Sequence, residues 1–142
     1  MIQTAKAWYA VGVGPDTTSN DLAIIEASSP NSNCALGSQE ELKIKFMYRM
    51  SGCDSIIPAG DSITMSFRVN GGAWVNETYV INTPIQNGDT LSYTYNNKVD
   101  LSLPGVYDIV YWVNYYDDKL PENNTLERIV TSVQQISTND SV

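Results

Sequence analysis

Between Leu42 and Met50 the chain alternates with a period of two: Leu42, Ile44, Phe46, Tyr48 and Met50 on one side, Lys43, Lys45, Met47 and Arg49 on the other. That period belongs to an extended strand, in which successive side chains point to opposite faces, and not to a helix with its 3.6-residue turn. The segment reads as a strand with one buried and one wet face. Alternation resumes with Ile63, Met65, Phe67 and Val69 against Ser62, Thr64, Ser66 and Arg68, and stops at Asn70-Gly71-Gly72. Asn-Gly tolerates the positive φ of a tight reversal, so Trp74 to Ile81 is expected to return as the hairpin partner.

The rest of the chain follows the same grammar. Asp21 to Pro30 begins apolar and ends in a loop cluster; Leu91, Tyr93 and Tyr95 alternate with Ser92 and Thr94; Thr125 to Val133 closes the series. Val106 to Tyr116 is apolar or aromatic on both faces, which places it centrally in a sheet. Helical periodicity of useful length is missing. Short strands separated by turn signals describe an all-β fold, an antiparallel immunoglobulin-like β-sandwich of about seven strands. An extra N-terminal strand is expected from Ala5, Ala7, Tyr9, Val11 and Val13, which share one face of an extended segment. Residues 1–19 are thus an N-terminal strand and linker, residues 20–134 the sandwich, and residues 135–142 a polar C-terminal tail.

Composition narrows the function. The 142 residues contain no histidine, which removes the commonest general base near neutral pH and the middle member of a Ser-His-Asp triad. With 8 basic and 16 acidic residues the net charge is -8, and the basic residues form no cluster, so nucleic acid is not an expected partner. Tyr outnumbers Phe nine to two, which suits half-buried strand positions with a wet end. The opening MIQTAKAWYAVGVG lacks the pattern of a signal peptide, and no apolar run reaches the length of a membrane span. An extracellular or cell-surface location is expected, with any export signal outside this chain. The expected role is non-catalytic, without cofactor or metal.

The order of several motifs carries a resemblance over about Asn20 to Val133. These are the opening Asp21-Leu22-Ala23, Cys34 in the loop before the second strand, Ile57-Pro58-Ala59-Gly60, Val69-Asn70-Gly71-Gly72, Asp100-Leu101-Ser102 with Pro104-Gly105 and Tyr107, and Glu122-Asn123-Asn124-Thr125. Together they resemble the CARDB-like immunoglobulin-fold modules of exported and cell-surface proteins, especially those of Bacteroidetes. The resemblance implies a non-catalytic module, one of several in a large adhesin-like or hydrolase-attached protein. It hands over no ligand-binding residue, and Met1 to Ser19 precede the usual start of such a module.

Candidate sites remain, each beside a plainer reading. Cys34 and Cys53 are an even pair in an expected export context, but they flank the strand Leu42 to Met50, so a bridge needs the loop between to run back along it. Asp117, Asp118, Glu122, Asn123 and Asn124 offer hard oxygens to Ca²⁺, against ordinary loop chemistry. Glu26, Glu77, Asp108 and Glu127 fall where solvated strand faces are expected. Trp74, Trp112 and Tyr116, with Trp8 and Tyr115, offer an aromatic ligand platform for surface glycans, against use in a core poor in phenylalanine. Ala5 to Val13 reads either as an edge strand of its own domain or as a strand donated to a neighbour, which would build a filament from copies of the chain. The expected partners are other copies or neighbouring modules.

Overall fold

The structure is a computed structural model that describes residues 19–51, 56–116, 118 and 124–134. Regular structure among these residues is entirely β. The strands are β1 Ser19–Ser29, β2 Asn33–Cys34, β3 Lys43–Ser51, β4 Ile56–Ile57, β5 Ser62–Val69, β6 Val75–Val80, β7 Ile85–Gln86, β8 Thr90–Thr94, β9 Gly105–Asn114 and β10 Thr125–Val133. They form a three-stranded sheet in the order β1-β3-β8, a five-stranded sheet in the order β2-β10-β9-β5-β6, and the small pair β4-β7. The expected N-terminal strand and the C-terminal tail lie outside the described residues.

The alternation read from the sequence becomes the division between core and solvent. Leu22, Ile44, Phe46 and Tyr48 of the three-stranded sheet and Met65, Phe67, Ile109, Tyr111, Val113 and Val130 of the five-stranded sheet belong to one buried cluster. Burying each such side chain is favourable by about 1.5–3 kcal/mol before chain entropy is counted. The two-sided strand β9 is the middle strand of its sheet, paired with β10 on one side and β5 on the other. The anticipated hairpin joins β5 to β6. Asn70 and Gly71 both hold positive φ, 53° and 71°, and the Gly72 amide donates to the Val69 carbonyl at 2.9 Å. Asn70 also clasps β9: its amide donates to the Asp108 carbonyl, and its side-chain oxygen accepts from the Asp108 amide.

One expectation needs correction. The sheets are not wholly antiparallel: β2 runs parallel to β10, with Asn33 and Cys34 beside Ser132 and Val133. A two-residue strand carries no alternation, so β2, β4 and β7 leave no periodic trace in the sequence.

Tyrosines tie the layers. Tyr95 is buried, edge-on to Phe67 and Tyr93 at 5.1 Å each, and its hydroxyl donates to the Ser66 carbonyl at 3.0 Å. Tyr111 reaches from β9 to the Ser29 carbonyl at the end of β1, and burial pushes its hydroxyl up to about 12. Arg128 of β10 adds a second cross-sheet tie, donating to the Ala27 carbonyl of β1 and to Asn31.

Candidate functional site

Parity decides what the outer face of the five-stranded sheet displays. Met65, Phe67, Tyr111 and Val113 point to the core, so Ser66, Arg68 and Trp112, with Asn76 and Thr78 of β6, take the opposite face. Trp74, just before β6, joins them and is 37% exposed. Its ring centroid lies 5.9 Å from that of Trp112, with the planes tilted by 57°. The Arg68 guanidinium sits 4.7 Å from the Trp74 centroid, a cation–π contact. Ser66 donates to Asn76 at 2.6 Å, holding β6 to β5 beneath this cluster. Trp74 and Trp112 of the expected platform are thus adjacent, beside Arg68, whose place opposite Trp74 across the hairpin was the available signal.

The other members of the expected platform go elsewhere. Tyr116 is 80% exposed and packs on Tyr115 at 4.8 Å. Tyr115 is buried, and its hydroxyl donates to Asp61 at 2.7 Å; burial and that carboxylate push its ionisation upward. Trp8 lies outside the described residues. The tilt between the tryptophans makes an angled patch and not a flat shelf.

The carboxylates divide as well. Glu26 is exposed and pairs with Lys45 at 3.7 Å, as a solvated strand residue should. Glu127 lies near Asp108 on the outer face, and a hydrogen bond that only its protonated form can donate, together with the Asp108 charge, raises its ionisation. Glu77, expected on a solvated face, instead joins the two sheets where β6 meets β8. It accepts from the Tyr93 hydroxyl at 2.6 Å, the Asn96 and Asn97 amides at 2.9 and 2.8 Å, and the Asn97 side chain at 2.7 Å. Burial opposes ionisation there, but these four donors prevail and hold Glu77 below the usual carboxylate value. Parity explains the correction, because Glu77 stands opposite the core residue Met65.

The remaining candidates are placed only in part. Cys34 is exposed on β2, whereas Cys53 lies outside the described residues. Of the acidic loop, Asp117, Glu122 and Asn123 also lie outside them. Asp118 is engaged, its carboxylate accepting from the Leu22 amide at 2.9 Å, and Asn124 is buried with its carbonyl accepting from the Val113 amide. Among the described residues no group of three or more His, Cys, Asp or Glu is placed to hold a metal ion. The donation segment Ala5, Ala7, Tyr9, Val11 and Val13 lies outside the described residues. No helix among the described residues is long and apolar enough to cross a membrane.

No family model and no curated protein matches the chain. Among solved structures it is similar to the crystal structure of the CARDB domain of the PF1109 protein from Pyrococcus furiosus in complex with di-metal ions. That match has 14% identity and a TM-score of 0.48, and covers 83% of this chain and 94% of the other. It is also similar to the solution NMR structure of the same domain, at 13% identity and a TM-score of 0.48, covering 82% and 95%. Both come from an archaeon, and lend nothing to an attribution to Bacteroidetes.

Proposed function

We propose that the chain is a non-catalytic structural or adhesive module, an immunoglobulin-like sandwich of seven main strands. It acts outside the cell or on its surface by spacing, adhering to or assembling with copies of itself or neighbouring modules. One observation carries this reading. Side chains that elsewhere perform acid–base chemistry are used here as ties: Glu77 with Tyr93 and Asp118 with β1 between the two sheets, Asp21 with Arg49 and Asp61 with Tyr115 between neighbouring strands of one sheet. Such ties hold strands and layers together and leave the working groups at the outer face and edges.

A carbohydrate-binding module is the second reading, favoured by the adjacency of Trp74 and Trp112 at the surface. Assembly into a filament by donation of residues 5–13 is a special form of the first. The test is capture of the soluble 142-residue chain on an immobilised copy and on a glycan array, run beside a panel of glycoside and peptide substrates. Saturable self-capture is expected. Glycan binding lost in a folded Trp112→Ala variant would promote the second reading. Turnover of any substrate, or capture on neither surface, would overturn the proposal.

A further inference from the structure

Sheets expose two edges each, and an unprotected edge strand is a template for another strand. Of the four edges of the two larger sheets, three are blunted: at β1, at β8, and at the short β2 with β10 behind it. β1 carries register shifts between Ile24 and Glu26 and between Ala27 and Ser29, and it is engaged by Asp118 and Arg128. β10 is covered at its end by β2, and its Thr131 amide donates to Ser32. β8 is only five residues long, shows Thr90, Ser92 and Thr94 to solvent, and runs into Asn96 and Asn97, which Glu77 holds. β6 differs. Its six residues, Val75–Val80, pair with β5 without a register shift and contain no proline, lysine or bulge. Their single charge, Glu77, is turned inward and bonded. No strand among the described residues lies beyond β6.

We infer that β6 pairs with β6 of a second copy about a two-fold axis, joining two five-stranded sheets into one continuous sheet. This rests on the reading of the chain as a self-assembling module. Rotation about an axis normal to the sheet preserves its faces, so each residue must meet one of its own parity. Glu77 on the axis would set two carboxylates opposite each other, which is unfavourable. Thr78 on the axis avoids this: Glu77 then meets Tyr79, and the outer-face Asn76 meets Val80. The same register brings the half-exposed Val80 one diagonal step from Trp74 of the partner chain, twice by symmetry. Trp74, just before β6 and 37% exposed, and Val80, at its end and 50% exposed, thereby cover each other. β8 has no such apolar pair to bring together, and this singles out β6.

The test uses the full chain. Thr78→Cys, oxidised, is expected to give a disulfide-linked dimer whose bridged peptide contains the substituted position twice, because paired residues across antiparallel strands lie about 4.5–5.5 Å apart at Cα. Asn76→Cys is expected to give none, since its symmetry mate is four residues out of register. Thr78→Lys is expected to shift sedimentation from dimer to monomer with an unchanged near-UV circular dichroism spectrum. A parent chain that sediments as a monomer, or a dimer that survives Thr78→Lys, would overturn the inference. So would a dimer lost on deleting residues 1–18 while Thr78→Cys stays unlinked, an outcome assigning assembly to the N-terminal segment. Self-capture without the Thr78 cross-link sinks the β6 interface alone; absence of self-capture and of glycan capture sinks the module reading too.

Discussion

At the scale of single residues, Glu77 shows how the fold puts a charge to structural use. Its folded-state ionisation lies below the ordinary glutamate value of 4.5. Its contribution to stability is therefore present above that value and is lost as pH falls through the lower folded one. Glu77→Gln is expected to destabilise by about 1 kcal/mol at neutral pH, a modest figure because the site is partly solvated, and the difference should fade in acid. Thermal melts of both proteins between about pH 3 and 7 check it; a constant difference would contradict the assignment. Glu127 has the opposite sign. Raised by Asp108, it favours the fold below the ordinary value and loses that contribution as pH rises. Glu127→Gln should accordingly raise the melting temperature at neutral pH and leave it unchanged in acid. Tyr95→Phe, which strips the Ser66 carbonyl of a buried donor, should cost about 1–2 kcal/mol by urea denaturation. The core assignments of Phe46 and Tyr48 could be read from alternation alone, whereas that of Tyr111 could not, because its strand is apolar or aromatic on both faces. The roles of Glu77 and Tyr115 could not, because a parity pattern tells which side of a strand a residue takes and not which hydroxyl or carboxylate waits there from a distant strand.

At the scale of elements, the β5–β6 hairpin was legible because its turn has a strict conformational demand. Gly71 stands at φ 71°, and a Cβ there would meet nothing within 4 Å, so the penalty for Gly71→Ala is conformational alone. It should amount to about 1 kcal/mol, seen as a lower urea midpoint with an unchanged m-value. The strands β3, β5 and β9 were legible for a related reason: each is long enough, at 9, 8 and 10 residues, for its period to stand out. The two-residue strands and the irregular edge of β1 were not, since they arise from pairing across the chain. Asp118 on β1 and Ser32 on β10 reach their partners over separations of 96 and 99 residues.

At the scale of the whole molecule, the two sheets form a scaffold whose outer face carries Trp74, Trp112 and Arg68, and whose β6 edge has the sequence of a pairing strand. The aromatic pair was visible in the sequence, but its geometry was not: the 57° tilt and the guanidinium over one ring follow from the hairpin register. A net charge of -8 repels copies at a distance, so association should strengthen as salt screens it, whereas an interface held by ion pairs would weaken. The central claim is that this chain works by holding surfaces together. It is tested most directly by the rupture force between a probe and a surface that both carry the full chain. The account predicts discrete, saturable adhesion events that free chain abolishes. Forces no different from those of bare surfaces would contradict it.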